Sequence, residues 1–354
     1  MIEDLVRKNI RSLKPYTSAR DMYNEGILLD ANENSFGSVV GSEEQELNRY
    51  PDPLQYSMRK TLGEYLDISY KKLFFGVGSD EIIDLLIRIF CTPGKDSIII
   101  PEPTYGMYKV SADINDVKAE TVFLDDKFNI DTEAILNRVN VSTKIIFLCS
   151  PNNPTANVLS KDSIKTLLQN SGYIIVVDEA YIDFAGMEYS CADLIKKYPN
   201  LVILRTFSKA WGLAGIRLGY CIADEAIIDY LFKVKAPYNI NSLTRSAFHK
   251  AMLNVELKNQ FVSSILSEKQ FVLEKLKKLK NIDRIYNSNT NYILVKIPNA
   301  SAVQKRLADK GVIIRDRSSQ PNLKDCLRIT IGTREQNLKL LELLPIVLSK
   351  QVAK

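Results

Sequence analysis

Five short polar motifs follow apolar runs of the sequence, where their side chains could take part in chemistry. They supply a glycine before an amphipathic helix, an aromatic ring, an amide, a carboxylate with a phenol, and a lysine with an arginine. Each motif alone also fits a structural role: a helix cap, a packed ring, a turn, a salt bridge or a surface lysine. In chain order the motifs are Gly78-Ser79-Asp80-Glu81, Pro101-Glu102-Pro103-Thr104-Tyr105-Gly106, Ser150-Pro151-Asn152-Asn153-Pro154-Thr155, Asp178-Glu179-Ala180-Tyr181 and residues 206–220.

The lysine and the carboxylate have the clearest chemical potential. Lys209 lies near the end of an apolar run, although lysine usually stays in water. Removal from water lowers the pKa of a lysine, and so does the presence of nearby cations. A lysine of lowered pKa is a better nucleophile for aldehydes. Asp178 ends another apolar run, so we expect a semi-buried carboxylate that needs a cationic partner. An arginine in a salt bridge would meet that need equally well.

Gly78-Ser79-Asp80 precedes a helix and could form an anion site. Glycine allows a tight turn, and free N–H groups together with the helix dipole favour an anion such as phosphate. Ser79 or Asp80 could instead cap the helix. Arg217, eight residues after Lys209 and beyond a glycine-containing turn, could add a positive charge.

The elements that must position these motifs alternate between strands and helices. Continuous apolar runs are typical of strands buried on both faces. Such alternation predicts an α/β fold with a mostly parallel sheet flanked by helices, which binds ligands beyond the carboxyl ends of its strands. The predicted strands are 73–77, 97–100, 144–149, 173–177, 201–205 and 218–222, and the clearest helix follows Gly78.

The last third of the chain predicts a smaller α+β domain. A long helix is expected over 256–280, strands over 291–297, 312–315 and 326–331, and a helix over 302–310. A final helix should begin at Thr333 with Gln336 in a capping box. We therefore expect an N-terminal arm (1–30) joining the small domain, a large domain (31–245) and a small domain (246–354). The region 31–53 should be extended.

Composition narrows the class of protein. The 354 residues favour two domains, and the 47 basic and 42 acidic residues are mixed along the chain, so no nucleic-acid surface is expected. The five cysteines are scattered along the sequence, which is typical of a reducing compartment. The sequence shows no secretory signal and no apolar run long enough to span a membrane. We therefore expect a cytoplasmic protein without membrane contact. One histidine, His249, argues against a histidine-rich metal site or a Ser-His-Asp mechanism, and no metal is expected.

Together the five motifs lie after strands of one sheet, where the fold would bring them together. An anion site, a flat ring, an amide, a carboxylate and a lysine suit a phosphorylated pyridine aldehyde. A lysine for pyridoxal phosphate (PLP) with an acidic partner for the ring nitrogen is an expected pairing. The sequence therefore predicts a PLP enzyme.

The whole chain resembles the fold-type I PLP-dependent aminotransferases and, among them, the histidinol-phosphate aminotransferases. The five motifs carry the resemblance. Further matching segments are Pro15-Tyr16-Thr17-Ser18-Ala19-Arg20, Asn32-Glu33-Asn34, Arg49-Tyr50-Pro51-Asp52-Pro53, Thr290-Asn291-Tyr292-Ile293-Leu294, Ile314-Arg315-Asp316 and residues 327–333. Ala156 departs from the pattern, because the family usually has glycine there.

The resemblance implies a role for each cofactor residue. Lys209 would hold PLP as a Schiff base and then shuttle the proton. Asp178 would keep the ring nitrogen protonated, while Tyr181 and Asn153 bind the ring hydroxyl and Tyr105 stacks on the ring. The phosphate would be surrounded by Ser79, Asp80, Ser208 and Arg217, and would be reached by Tyr50 of a neighbouring subunit, so a homodimer is implied.

The implied reaction is amino transfer from L-histidinol phosphate to 2-oxoglutarate, as in histidine biosynthesis, giving imidazole-acetol phosphate and L-glutamate. Arg328, Arg315 and Tyr16 would hold the substrate phosphate, and Asn32 would line the pocket. Three alternatives stay open: an aminotransferase for aromatic amino acids, a phospho-amino-acid decarboxylase of similar fold, and a binding or regulatory module. The third would usually carry an added DNA-binding segment, for which the N-terminal arm is too short.

Overall fold

The computed structural model describes residues 2–16, 20, 26–41, 46–169 and 172–349. Thr17, Ser18 and Ala19 of the Pro15–Arg20 segment, parts of the expected arm, and residues 350–354 lie outside the described residues. In the region predicted to be extended, residues 31–41 and 46–53 contain coil and several turns but no helix or strand. Within the described residues, no helix is long and apolar enough to cross a bilayer.

Seven strands form a large, mostly parallel sheet. They are β1 (Leu73–Val77), β2 (Ser97–Glu102), β3 (Lys118–Phe123), β4 (Thr143–Cys149), β5 (Ile174–Asp178), β6 (Leu201–Thr206) and β7 (Leu218–Ala223). The order across the sheet is β1-β7-β6-β5-β4-β2-β3, and β7 is antiparallel to both of its neighbours. The other strands share one direction, so β1, β2, β4, β5 and β6 end at the same edge. Residues just before the reversed β7 lie at that edge too.

Both faces of this sheet are buried, as the continuous apolar runs predict. On β2, Ile98 and Ile100 belong to one core, whereas Ile99 belongs to the core on the opposite face. The predicted strands agree with the structure within one or two residues. β3 was not predicted, because this edge strand (Lys-Ala-Glu-Thr-Val-Phe) is half polar and has no continuous apolar run.

Helices cover both faces and connect the strands. The helix predicted after Gly78 spans Gly78–Phe90 and buries an apolar face of isoleucine, leucine and phenylalanine. The helices are α1 (Ile2–Leu5), α2 (Lys8–Arg11), α3 (Tyr56–Leu66), α4 (Gly78–Phe90), α5 (Met107–Ile114), α6 (Thr132–Arg138), α7 (Lys161–Leu168), α8 (Ile182–Ala185), α9 (Glu225–Val234), α10 (Ser242–Met252), α11 (Val255–Leu276), α12 (Ala300–Ala308) and α13 (Arg334–Ser349).

A second sheet lies in the C-terminal third and has its own core. Its strands are β8 (Arg284–Ile285), β9 (Tyr292–Lys296), β10 (Arg315–Asp316) and β11 (Cys326–Thr330), in the order β10-β11-β9-β8 and all antiparallel. β10 is shorter than predicted, because pairing with β11 is limited to two residues. The capping box is confirmed: Thr333 N donates to Gln336 Oε1 at 3.0 Å, and Gln336 N donates to Thr333 Oγ1 at 3.4 Å.

The N-terminal residues pack differently from the prediction. Ile2, Val6 and Ile10 recur at four-residue spacing and are buried in the core that α4 and α9 form on the large sheet. Arg7 N donates to Ile89 O of α4 at 3.0 Å. The expectation that the arm joins the small domain is therefore wrong for residues 2–11, because the free apolar surface they cover belongs to the large sheet. The boundaries at residues 30 and 245 stay a prediction.

Candidate active site

The five motifs meet at one edge of the large sheet, around a cavity of about 310 Å³. The second sheet closes this cavity from the opposite side with two arginines. Ten of the predicted site residues line the cavity, and they come from both sheets. These residues are Ser79, Asp80, Tyr105, Asn153, Asp178, Tyr181, Ser208, Lys209, Arg217 and Arg328.

Lys209 lies on the loop that follows β6 and extends into the open part of the cavity. Its ammonium nitrogen is 5.7 Å from the centre of the Tyr181 ring. Burial by the cavity walls, followed by the positive charge of Arg328, lowers the pKa of Lys209. A lower pKa increases the fraction of free amine, which is the form that attacks an aldehyde.

Asp178 ends β5 at the base of the cavity, with 3% of its surface exposed. Tyr108 Oη donates to its Oδ2 at 2.8 Å, and Ala180 N donates to Oδ1 at 3.0 Å. Burial raises the pKa of Asp178 to about 6 in spite of these two hydrogen bonds. In the described chain no lysine or arginine lies within ion-pair distance of this carboxylate. The buried Asp178 is therefore suited to a cation supplied by a ligand.

The arginine salt bridge that was the alternative for Asp178 forms with its neighbour Glu179 instead. Glu179, which is 1% exposed, accepts hydrogen bonds from Arg205 Nε at 3.0 Å and from Arg205 Nη2 at 2.9 Å. Ser190 Oγ and Cys191 N also donate to Glu179. Of the two adjacent buried carboxylates, Glu179 thus has a full set of partners and a structural role.

The turn between β1 and α4 forms a cradle with Arg217 above it. Gly78 has φ +72°, and a Cβ there would lie 2.9 Å from Arg217 Nη2. A Cβ on Gly219 would collide with the backbone of Ser79. Two glycines therefore let this turn, β7 and the guanidinium approach closely. Arg217 Nη2 lies 3.4 Å from Asp80 Oδ2, and the α4 N-terminus adds its dipole, so the cradle suits a phosphate.

Tyr105 and Asn153 occupy two walls of the cavity. Tyr105 Oη donates to Asp80 Oδ1 at 3.0 Å, and burial is the main cause that raises the pKa of this phenol. Asn153 Oδ1 accepts a hydrogen bond from Arg328 Nη1 at 2.6 Å. Since the amide oxygen is bound to Arg328, Asn153 has its NH₂ group to offer a ligand.

Four predicted residues do not line this cavity in the single chain. Arg315 is exposed and lies directly opposite Arg328 in the β10–β11 pair. Tyr16 is 74% exposed, and Asn32 lies in a coil with φ +53°. Tyr50 is half-exposed, and its ring stacks on Tyr238 with 4.5 Å between ring centres.

Sequence reasoning missed two polar residues of this site, one that binds Asp178 and one that lines the cavity. Tyr108, a buried residue of α5, donates to Asp178. The sequence offered no helix-face signal for it, because Tyr105 lies before the helix begins at Met107. Arg317 lines the cavity beside Arg328. It follows Arg315 at the two-residue spacing that puts strand side chains on one face, a signal that was present in the sequence.

Ala156, the departure from the family pattern, has a left-handed backbone with φ +67° and is fully buried. Glycine would adopt this conformation without strain. Ala156 N donates to Asn152 O, and Ala156 O accepts from Asn289 N, both at 2.8 Å. The turn that carries Asn153 is therefore held in place with alanine present.

Comparisons with known proteins identify the family to which this chain belongs. The family model for class I and II aminotransferases matches residues 24–344. A histidinol-phosphate aminotransferase of Cytophaga hutchinsonii is 48% identical over 345 residues, covering 97% of this chain and 98% of that protein.

Solved structures show the same fold. The histidinol-phosphate aminotransferase of Clostridium acetobutylicum, 26% identical, has a TM-score of 0.79 and covers 86% of this chain and 92% of that chain. That of Sinorhizobium meliloti, solved with pyridoxal-5'-phosphate, is 22% identical with a TM-score of 0.81 over 91% of this chain and 90% of that chain. The predicted α/β fold is confirmed. The chain belongs to the class I and II aminotransferase family.

Proposed function

We propose that this chain is a PLP-dependent transaminase that transfers the amino group of L-histidinol phosphate to 2-oxoglutarate, as in histidine biosynthesis. The products are imidazole-acetol phosphate and L-glutamate. One observation carries the chemistry: a single cavity holds a lysine of lowered pKa, a buried aspartate without a cation, and a glycine-walled cradle beside an arginine. The substrate is supported by the 48% identity to a histidinol-phosphate aminotransferase over nearly the full chain.

The residues fit PLP on two structural observations. The uncompensated Asp178 carboxylate matches a protonated pyridine nitrogen, and the cradle that a Cβ at Gly78 would fill matches a phosphate. When bound, PLP supplies an aldehyde for the amino group and a ring that accepts electrons. Lys209 would hold it covalently, and Ser79, Ser208 and Arg217 would surround its phosphate together with the backbone N–H of Asp80. The Asp80 side chain orients Arg217 and Tyr105.

The protein's own groups would then orient the ring and move protons. Asp178 would keep the proton on the ring nitrogen, while Tyr181 and Asn153 would bind the ring hydroxyl and Tyr105 would cover one face. Lys209 would carry the proton taken from the substrate α-carbon. General acid–base help of this kind contributes roughly 10²–10⁴-fold to a rate. Arg328 would hold the substrate's anionic group at the open end of the cavity.

We further propose that the active unit is a homodimer in the cytoplasm. Tyr50, Tyr16 and Asn32 do not reach the cavity of their own chain, which supports contribution to a partner's site. All five cysteines are buried and unpaired, as expected in a reducing compartment.

The test is an absorbance titration of the PLP-loaded protein with L-histidinol phosphate, without any oxo acid. We expect the absorbance of the aldehyde form to be replaced by that of the amine form, because the first half of the transfer needs no second substrate. Lys209→Ala is the control: its absorbance should not change in this way, and it should show no turnover when 2-oxoglutarate is added. A cofactor spectrum that ignores L-histidinol phosphate but responds to phenylalanine would replace this substrate by an aromatic amino acid. Release of carbon dioxide from a phosphorylated amino acid, offered in place of L-histidinol phosphate, would reveal a decarboxylase.

A further inference from the structure

We propose that Arg317, acting with Arg328, makes this site select a doubly charged phosphate over a carboxylate. The inference rests on the proposed function and adds to it a residue that selects the substrate by its charge. Arg317 was not among the residues that the resemblance implied.

The fold places Arg317 at the substrate end of the cavity. It directly follows β10, and its N–H donates to Cys326 O at 2.8 Å, so it continues the pairing with β11. In the adjacent pair Arg315 lies opposite Arg328. Alternation puts Arg315, Arg317 and Arg328 on the face of the small sheet that looks towards the large one. Arg317 and Arg328 line the cavity with Lys209, whereas Arg315 is exposed outside it.

These two arginines have positive charge that the described protein does not neutralise. Within the described residues no carboxylate lies in ion-pair distance of either guanidinium, and Asp80 in the same cavity is paired with Arg217. The Nε atoms of Arg317 and Arg328 are buried and without an acceptor. Burial, and then the charges of Arg328 and Arg315, lower the pKa of Arg317 to about 10. Such an arrangement is stabilised when an anion binds between the two side chains.

The charge of the two candidate substrates differs at this end. A phosphate monoester carries a charge of about −1.5 to −2 near neutral pH and three acceptor oxygens. A carboxylate carries one charge and two oxygens, which a single guanidinium can bind with two parallel hydrogen bonds. Arg328 therefore suffices for the carboxylate of glutamate or 2-oxoglutarate. Arg317 adds the second cation and the extra donors that only the phosphate can use.

The experiment compares Arg317→Gln with Lys324→Gln in the PLP-loaded enzyme. Lys324 is an exposed cation on the turn before β11 and does not line the cavity, so it controls for loss of one positive charge. Each variant is assayed with L-histidinol phosphate and with L-histidinol, which lacks the phosphate. For Arg317→Gln we expect kcat/KM for the phosphorylated substrate to fall roughly 10–100-fold, the effect of losing a charged hydrogen bond. With L-histidinol, and for Lys324→Gln with both substrates, we expect no change.

A binding measurement separates recognition from damage to the active site. Calorimetric titration with inorganic phosphate should show weaker binding to Arg317→Gln than to the wild type or Lys324→Gln, while the cofactor spectrum stays unchanged. Equal losses of kcat/KM with L-histidinol phosphate and L-histidinol, or unchanged phosphate affinity, would overturn the role of Arg317. Failure of the wild-type enzyme to convert L-histidinol phosphate would instead overturn the proposed function.

Discussion

At the scale of single residues, Asp178 and Glu179 are adjacent, buried and acidic, yet they have different roles. Glu179 accepts hydrogen bonds from Arg205, Ser190 and Cys191, whereas Asp178 accepts from a phenol and one N–H. The difference arises because alternate residues of an extended chain point to opposite sides of the sheet. Asp178 consequently faces the cavity with a charge that the described protein does not balance.

This imbalance predicts the stability of an Asp178→Asn variant. Because burial raises the pKa of Asp178 from 3.8 to about 6, the folded protein binds this proton more tightly than the unfolded chain. The contribution of Asp178 to the free energy of unfolding is thus at its maximum below about pH 4, and it is lost as the pH rises through about 6. Cofactor-free Asp178→Asn should be more stable than wild type by roughly 1–3 kcal/mol at pH 8, and this gain should disappear near pH 4.

Urea unfolding of the cofactor-free proteins at several pH values measures this difference. Turnover of the same variant should fall roughly 10²-fold or more, because an amide cannot keep the ring nitrogen protonated by charge. A variant that is less stable than wild type at pH 8 would show that burying this carboxylate carries no cost.

At the scale of elements, the cavity depends on strand ends staying together at one edge. The Glu179–Arg205 pair joins the segment after β5 to β6, which leads directly to Lys209. Ala156 holds the turn after β4 in a left-handed conformation, and Tyr292 Oη of β9 donates to Asn152 O of that turn at 2.7 Å. These segments beside the cavity are therefore fixed by contacts with neighbouring elements.

The buried ion pair predicts a coupled result for two substitutions. Arg205→Met should reduce the free energy of unfolding by roughly 3–5 kcal/mol, because Glu179 would keep a buried charge without a cation. Adding Glu179→Gln should restore more than half of that loss, since the amide is neutral and its oxygen can still accept from Ser190 and Cys191. Chemical denaturation of the single and double variants measures both values. If the double variant is as unstable as Arg205→Met, the loss does not come from the unpaired charge.

At the scale of the whole molecule, the site needs surfaces that are far apart in the chain. The small sheet brings Arg317 and Arg328 against the edge of the large one, and Arg328 binds Asn153 across that boundary at 2.6 Å. Three predicted site residues, Tyr16, Asn32 and Tyr50, remain outside the cavity of their own chain. A homodimer in which these three residues complete the partner's site would account for their positions.

Mixed dimers test this arrangement. Lys209→Ala and Tyr50→Phe dimers should each be impaired, the first completely and the second roughly tenfold through loss of one hydrogen bond to phosphate. After the two are unfolded and refolded together, heterodimers would contain one site with both changes and one intact site. Activity should then rise to about a quarter of the wild-type value, as random pairing of two subunit types requires. Activity equal to the mean of the two separate variants would place Tyr50 in the site of its own subunit.

The sequence alone determined the strand ends, because continuous apolar runs mark strands buried on both faces and polar motifs mark where they stop. The motifs at these strand ends contain nine of the predicted residues that line the cavity, and the family resemblance added Arg328. The sequence also predicted the helix after Gly78 and the capping box at Thr333. The edge strand β3, whose burial is partial, lacked this signal. The local sequence pattern also could not show which side chains would form hydrogen bonds or ion pairs with each other.

The tertiary structure decided those pairings. Arg205 lies opposite Glu179 and not Asp178, Tyr108 reaches Asp178 from α5, and residues 2–11 cover the large sheet. It also decided that Arg317, not Arg315, lies beside Arg328 in the cavity. These outcomes depend on strand register and on packing between elements that are distant in sequence. The free energy gained by burying apolar surface and by pairing charges depends on the whole fold, so a local stretch of sequence does not determine it.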